Sequence, residues 1–304
     1  MSRYTEEYKQ NAFDLLEEGL SQRAVAAILD MPRSTLSEWC LDRKKEFIAE
    51  QNKLGWNQTE HRYTKTQRNV CNDRVLIISD MHIPYHHKDT LAFLQYLKEK
   101  YNPTRVICMG DELDKHALSY HDSDPDLPSA GDELRKSIPV IQEVKKMFPV
   151  MDILESNHGS LVWRKAKTHG VPRHYLKSYN EVLGVDDNWQ WHFDLTIELP
   201  TGNKCYFHHG KSADVTKLSQ QMGMCAVQGH YHNNFKITYW GNPYGLFWGL
   251  QVGCLIDDSS YAFSYNNVNI QRPVIGTGLI INGQPVLEPM IIDKNGDWIG
   301  EQGI

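Results

Sequence analysis

The stretch RVLIISDMH, residues 74–82, is a short apolar run that ends in an acidic residue and a histidine. A run of this length and composition predicts a β-strand. Asp80 and His82 follow the apolar residues directly, at the carboxyl end of the predicted strand. Open α/β sheets place their ligand sites at that end of their strands. This stretch therefore predicts a β-sheet with a ligand site at the carboxyl ends of its strands.

The same pattern, an apolar run followed by polar residues, occurs twice more in the next 80 residues. RVICMGDELD spans residues 105–114 and VMDILESNHG spans residues 150–159, with helical patterns around 91–100 and 132–148 between the runs. Strands that alternate with helices predict βαβ units and a largely parallel first sheet. After residue 188 short strands follow one another with fewer helices, which predicts a second, more antiparallel sheet packed on the first. The predicted strands of this region are WHFDLTIEL, KCYFHH, CAVQG, FKITYW, LFWGLQVG, GTGLIING and PVLEPMII.

Two of these later strands also end in histidines, in His208-His209-Gly210 and Gly229-His230-Tyr231-His232. The whole series resembles the calcineurin-like metallophosphoesterase superfamily, whose motifs run D-x-H, G-D-x-x-D, G-N-H-[DE], H-G and G-H-x-H. The resemblance covers residues 74–235. It implies a four-layer α-β-β-α sandwich with two mixed sheets over residues 73–304. The alternative is an inactive sandwich with incidental histidines, but five motifs in the right order argue against it.

The resemblance also implies a pair of divalent metal ions. Asp111 would bridge them, and the two charges of the ligand carboxylates would leave a net positive site suited to a phosphoryl group and an attacking hydroxide. Imidazole and carboxylate ligands without thiolate favour Mn, Fe or Zn over Mg or Ca, and we expect Mn²⁺. The implied ligands are Asp80, His82, Asp111 and His232 for the first ion and Asp111, Asn157, His209 and His230 for the second.

By the same resemblance, His158 is the general acid that protonates the leaving oxygen, oriented by Asp114. An imidazole with a carboxylate behind it suits that role near neutral pH. The alternative for Asp114 is a helix N-cap or a surface carboxylate. Arg164 and Lys211 lie close to the motifs and are candidates for phosphate contacts, with ordinary surface placement as the alternative.

The sequence departs from the family pattern around the third motif. Ser156 stands where a glycine is usual, and Gly159 stands where the family has Asp or Glu. The His208–His209 pair leaves open which histidine is the ligand. We expect His209, because the ligand of the family directly precedes glycine and the alternation of a strand directs only one of the two side chains to the site.

The amino-terminal segment, residues 1–50, predicts three short helices, with Gly19 ending the first and Ser21 and Ser34 capping the others. Its stretch YTEEYKQNAFDLLEEGLSQRAVAAILDMPRSTLSEWC resembles the helix-turn-helix domains of transposases and resolvases. The resemblance implies that the helix from Ser34 enters the DNA major groove. The residues that would then face DNA are Arg33, Thr35, Ser37 and Arg43.

The charge of this segment leaves another interpretation open. Residues 1–69 contain 11 Lys and Arg and 11 Asp and Glu, so the basic footprint is weak. The alternative is a small helical bundle that docks a protein partner or forms a dimer. Residues 51–72 are polar and without periodicity, which predicts a linker before the domain of residues 73–304.

Composition excludes several classes of protein. The net charge of −6 argues against a protein that coats nucleic acid by charge alone. Six scattered cysteines without a C-x-x-C pair indicate neither a zinc knuckle nor a disulfide framework. No run of 18 apolar residues predicts a membrane span, and the polar start MSRYTEEYKQ is unlike a secretory signal. We therefore expect a cytoplasmic protein without a membrane anchor. The sequence does not indicate an oligomeric state.

A metal-dependent phosphoesterase joined to a DNA reader predicts a DNA-acting phosphodiesterase of nuclease type. One alternative is a phosphomonoesterase on protein or nucleotide substrates, but the Asp-Arg-Gly of the family's Ser/Thr phosphatases is replaced here by Asp114-Lys115-His116. Another is a DNA-binding regulator with a vestigial phosphoesterase core. The combination is also similar to phosphoesterases of tailed bacteriophages, which would act in the host cytoplasm.

Overall fold

A computed structural model describes residues 4–53, 70–120, 126–260 and 271–300. The chain divides into two compact units, Met1–Thr59 and Glu60–Ile304, and each has its own apolar core. Within the described segments, no helix combines the length and the apolar character that crossing a bilayer requires.

The first unit contains three helices, α1 (Glu6–Glu17), α2 (Gln22–Ile28) and α3 (Arg33–Lys53). Two of the three predicted boundary signals are confirmed. Gly19 follows α1 with a φ of 94°, and its N–H donates to the carbonyl of Leu16. The hydroxyl of Ser21 accepts from the N–H of Ala24 at 3.3 Å and caps α2. The core of this unit contains Ala12, Val25, Ala26, Met31 and Leu36.

Helix α3 differs from the prediction at both ends. It begins at Arg33, so Ser34 lies inside its first turn and does not cap it. Its 21 residues make it longer than the short helix expected, and it continues to Lys53, into the segment predicted as a linker. Residues 54–69 of that predicted linker lie outside the described residues.

The first sheet of the second unit has six strands. Four neighbouring strands are parallel to one another. Two antiparallel strands extend the sheet at the edge formed by the first of these four in the sequence. In spatial order they are β11 (Gln284–Pro289), β10 (Gly276–Ile281), β1 (Arg74–Ile78), β2 (Arg105–Cys108), β3 (Met151–Leu154) and β4 (Trp189–His192).

The second sheet has five strands and is also mixed, with two parallel and two antiparallel pairings. In spatial order they are β5 (Leu195–Glu198), β6 (Lys204–Phe207), β7 (Cys225–Gln228), β9 (Gly245–Val252) and β8 (Phe235–Asn242).

Five α-helices accompany the sheets in the described part of the second unit. Short 3₁₀ turns at 116–118 and 173–175 add to them. The α-helices are α4 (Thr90–Tyr101), α5 (Ala130–Met147), α6 (Leu161–Thr168), α7 (Tyr179–Leu183) and α8 (Val215–Met222).

Alternation along the strands explains the layers, because successive side chains point to opposite faces of a sheet. In β1, Leu76 and Ile78 pack in one core with residues of α4 and α5, whereas Val75 and Ile77 pack against the second sheet. Ala226 of β7 packs instead with residues of α8. Helices therefore cover the outer face of each sheet, in agreement with the expected sandwich of two mixed sheets.

Two predicted strand assignments differ from the structure. The run WHFDLTIEL is not one strand, because it breaks at residues 193–194 into the end of β4 and the whole of β5, which belong to different sheets. The last two strands, β10 and β11, return to the first sheet and make it mixed. The antiparallel pairing of β10 with β1 satisfies the backbone groups on the outer edge of the parallel strands, and β11 pairs in turn with β10.

Candidate metal centre

The loops after β1 and β2 are joined by main-chain hydrogen bonds. The N–H of Asp80 donates to the carbonyl of Gly110 at 3.1 Å, and the N–H of His82 donates to that of Asp111 at 2.8 Å. This pairing extends the parallel register beyond the two strands. It brings the polar ends of both strands to one edge of the sheet.

A first group of donor atoms comes from Asp80, His82 and His232, whose ligand atoms all lie within 4.8 Å of one another. Oδ1 of Asp80 is 3.2 Å from Nε2 of His232 and 3.9 Å from Nε2 of His82. The loop that carries Asp80 and His82 therefore meets the loop that carries His232, although about 150 residues separate the two loops in the sequence. This group can hold one metal ion.

A second group comes from Asp111, His209 and His230, within the same limit of 4.8 Å. Nε2 of His209 lies 3.2 Å from Oδ2 of Asp111 and 2.7 Å from Oδ1 of Asn157. Oδ2 of Asp111 is also 3.6 Å from Nε2 of His82, which belongs to the first group. Asp111 thus lies between the two groups, as a bridging ligand would.

Hydrogen bonds fix which nitrogen of each ring faces the cluster. Nδ1 of His209 donates to the carbonyl of Met109 at 2.8 Å, and Nδ1 of His82 lies 2.6 Å from Oδ1 of Asp114. Because each Nδ1 donates its proton to an acceptor outside the cluster, Nε2 is the nitrogen that faces the cluster and would bind a metal ion. Metal-binding histidines are commonly oriented in this way.

The electrostatics of the cluster favour a positive ion. Burial alone would raise the pKa of Asp80, but the hydrogen bond from His232 and the nearby imidazoles lower it to about 2. The pKa of Asp111 is held well below its usual range against burial by His209 and its neighbours. In turn, Asp111 overcomes burial and raises the pKa of His209 to about 9. A field that stabilises an imidazolium also stabilises a metal cation, so the donor set fits divalent metal ions.

His158 lies beside the first group, where its ring centroid is 4.7 Å from that of His82. The main-chain N–H of His158 donates to Oδ1 of Asp111 at 3.1 Å. Its Nδ1 donates to the main-chain carbonyl of Asp114, whereas the Asp114 carboxylate is 3.8 Å away. The expected orientation of His158 by Asp114 therefore comes from the backbone, and the carboxylate orients His82. Burial lowers the pKa of His158, but the Asp111 and Asp114 carboxylates outweigh it and raise the pKa.

Ser156 has a supporting role that the sequence did not reveal. Its buried hydroxyl accepts from the N–H of Asp111 at 3.0 Å and from that of Gly159 at 2.9 Å. A Cβ at Gly110 would lie 2.6 Å from Cβ of Ser156, so the two loops pack too closely for a side chain there. The one available signal was the departure from glycine at position 156.

Backbone strain is concentrated at these loops. Residues other than glycine rarely adopt positive φ, at a cost on the order of 1–3 kcal/mol each, and such residues cluster at functional sites. Gly229 belongs to the same tight arrangement, since a Cβ there would clash with Ser79 and Asp80. The strained residues at the cluster are Asp80 (49°), His82 (49°), Asp111 (51°), Lys115 (58°) and His230 (68°).

Three residues that the sequence offered as candidates for metal or phosphate binding have side chains that contact tyrosine residues outside the cluster. The exposed guanidinium of Arg164 lies over the ring of Tyr120 at 4.8 Å. The ammonium of Lys211 donates to the hydroxyl of Tyr206 at 3.2 Å. His208 stacks near the same tyrosine, with ring centroids 6.3 Å apart, so the structure brings His209 and not His208 into the cluster.

The four candidate DNA-binding residues all lie on α3, in the first unit. Arg33 is exposed and Thr35 is half-buried. The hydroxyl of Ser37 donates to Gln22 at 3.0 Å, and the guanidinium of Arg43 pairs with Glu17 at 2.9 Å. Ser37 and Arg43 therefore make contacts within the helical unit, and Arg33 and Thr35 are the better placed of the four for an external ligand.

No protein-family model matches this chain, and no curated protein sequence matches it. Among solved structures it is similar to vacuolar protein sorting 29 from Cryptosporidium parvum, at 15% identity and a TM-score of 0.35, over 71% of this chain and 95% of that one. It is also similar to Vps29 of Chaetomium thermophilum, at 12% identity and a TM-score of 0.36, over 74% and 90% of the two chains. At these TM-scores neither structure carries an argument about function, which is inferred from the site itself.

Proposed function

We propose that this chain is a metal-dependent phosphoesterase that hydrolyses phosphodiester bonds of DNA. One observation carries the proposal: two groups of Asp and His donors meet around Asp111 at the carboxyl ends of the parallel strands. Asp80, His82 and His232 would hold one ion, and Asp111, His209 and His230 the other, with Asn157 beside the second group.

Two divalent ions in such a site activate water near neutral pH and neutralise phosphate charge. The protein's own groups fix the ligand rings and supply a proton. The side chain of His158 is 21% exposed, compared with 2% for His82 and 4% for His209, so it is the group of these three that a substrate reaches. Nδ1 donates to a carbonyl, so Nε2 is directed away from that contact, and the imidazolium form can give its Nε2 proton to the leaving oxygen and become neutral.

A diester is favoured over a phosphoprotein by the residue after Asp114. Lys115 stands where the resembling protein phosphatases have a phosphate-binding arginine. Its ammonium donates to the carbonyls of His158 at 3.1 Å and Gly159 at 3.2 Å, and it lies 4.2 Å from the centre of the Tyr179 ring. The helical unit of residues 1–59 adds a second reason, because its likeness to DNA readers points to a nucleic acid substrate.

The test is a substrate panel with the full chain loaded with Mn²⁺. Linear duplex, circular duplex and single-stranded DNA are compared with phosphomonoesters, before and after extensive chelation. We expect DNA cleavage that chelation abolishes and Mn²⁺ restores, and no cleavage by Asp111→Asn. Asp187→Asn, at an exposed carboxylate, is the matched control and should remain active. Cleavage of monoesters alone would reject the diester assignment, and full activity of chelated protein would reject the metal mechanism.

A further inference from the structure

A cavity of about 150 Å³ lies beside the metal centre, between the 3₁₀ turn at 116–118 and helices α5, α6 and α7. Its walls are mainly apolar and include Leu134, Val162, Trp163, Leu176 and Tyr179. A cavity of roughly this volume with apolar walls accommodates one benzene-sized ring. Lys177 and Ser178, which are exposed, also line it, so the cavity opens to the surface.

One buried acidic residue, Glu133, also lines this mainly apolar cavity. Glu133 of α5 is 2% exposed, and backbone N–H groups of residues 115–117 donate to its carboxylate. Its Oε2 has no hydrogen-bond partner among the described residues. Burial and the charge of Asp114 raise the pKa of Glu133 to about 7. A buried polar atom without a hydrogen-bond partner is unfavourable, and a ligand that donates a hydrogen bond to Oε2 would satisfy it.

The cavity is continuous with the proposed catalytic loops. Leu113 and Lys115, which flank Asp114, line it, as does Gly159, which follows His158. Two cationic side chains also belong to its lining. Lys115 lies against Tyr179, and the guanidinium of Arg173 is 4.3 Å from the centre of the Trp163 ring. An aromatic ring in the cavity would thus lie next to the loops that carry Asp114 and His158.

We infer that this cavity is a base-binding subsite, which takes an unpaired nucleobase next to the phosphate at the metal centre and binds an N–H of the base through Oε2 of Glu133. The inference rests on the proposed function, because it assigns the ring to the substrate of that site. A nucleobase combines the two properties that the cavity selects, a flat apolar ring and an edge with N–H donors. Aromatic walls suit it, since bases stack on aromatic side chains.

The test compares cytidine 5′-monophosphate with ribose 5-phosphate, which has the same sugar and phosphate but no base. Binding to the Mn²⁺-loaded full chain is measured by calorimetry. Stacking and one hydrogen bond should make the nucleotide bind at least about tenfold more tightly. Glu133→Gln and Leu176→Trp, which fills the cavity without changing Glu133, should each remove most of that preference. Glu143→Gln, at an exposed site on the same helix, is the matched control and should keep it.

Affinity for ribose 5-phosphate should stay constant in all three variants and shows that each one is folded. A parallel titration with single-stranded oligodeoxycytidine and its duplex identifies the source of the base. Loss of the oligonucleotide's affinity in Leu176→Trp means that the base arrives on a strand, and loss only for the mononucleotide means a free nucleotide. Equal affinity of the native chain for the two small phosphates overturns the base subsite alone. Retained base preference without any hydrolysis overturns the proposed function alone.

Discussion

The carboxylate of Asp114 lies 2.6 Å from Nδ1 of His82, 32 residues earlier in the chain. Both side chains are buried, with 4% and 2% exposure. The bond fixes the proton of the imidazole on Nδ1 and turns Nε2 toward Asp80 and Asp111. Asp114 thus positions His82, a proposed metal ligand, and this role differs from the one that the sequence motif suggests.

Asp114→Ala should weaken Mn²⁺ binding about 10- to 100-fold, the usual effect of losing the partner of a ligand histidine. The orientation of His158 should survive, because its contact is the main-chain carbonyl of residue 114. Mn²⁺ titration of the variant checks this, with Asp187→Ala as the control at an exposed carboxylate. Unchanged Mn²⁺ affinity together with slow chemistry would place the action of Asp114 on His158 instead.

His158→Asn should leave Mn²⁺ affinity nearly unchanged and slow hydrolysis by about 10² to 10⁴, the range for a lost general acid. The defect should be large for DNA and small for an aryl phosphodiester, because an aryloxide leaves without a proton. Rates on both substrates, with His169→Asn at an exposed position as the control, measure the difference. An equal loss on the two substrates would show that His158 positions the site and does not donate the proton.

The sequence predicted which residues converge, because strand ends can be located from short apolar runs. Asp80, His82 and Asp111 follow two parallel strands, and the carboxyl ends of such strands meet at one edge. Their hydrogen-bond partners were not predictable in the same way. Whether the carboxylate of Asp114 reaches His82 or His158 depends on side-chain directions in loops with positive φ, which strand periodicity does not determine.

The missed strand boundary has a similar explanation. The run from Trp191 to Leu199 has no glycine or proline, and Asp194 alone is too weak a signal to mark the break at residues 193–194. The break arises from tertiary packing, since β4 pairs with β3 in one sheet and β5 pairs with β6 in the other. Helix α3 likewise exceeds its predicted end, because residues 41–53 have no helix-breaking residue.

Ser156→Ala should destabilise the second unit by about 1–3 kcal/mol, because the buried N–H groups of Asp111 and Gly159 would lose their acceptor. Denaturant unfolding of the full chain measures the change. Ser160→Ala is the matched control from the same loop, since among the described residues its hydroxyl makes one hydrogen bond, as donor to the carbonyl of Asn157. A smaller loss in Ser156→Ala than in Ser160→Ala would contradict the supporting role of Ser156.

Two arginines on helix α3 differ in their surroundings. The guanidinium of Arg43 pairs with Glu17 and lies 4.4 Å from the centre of the Phe13 ring, so its charge is partly neutralised within the unit. Arg33 is exposed at the first residue of the helix. If the helical unit reads DNA, Arg33 is the better phosphate or base contact.

Arg33→Ala should therefore weaken duplex binding more than Arg43→Ala does. It should also flatten the dependence of log affinity on log salt by about 0.9, the value for one lost phosphate contact, if Arg33 meets the backbone. Salt titrations of duplex binding by the full chain measure both quantities, and the rate on a small aryl phosphodiester should not change. Removal of residues 1–60 should have the larger effect of the same kind. Unchanged DNA affinity and salt slope after that removal would favour a protein partner for the helical unit, because a DNA reader cannot be lost without a loss of affinity.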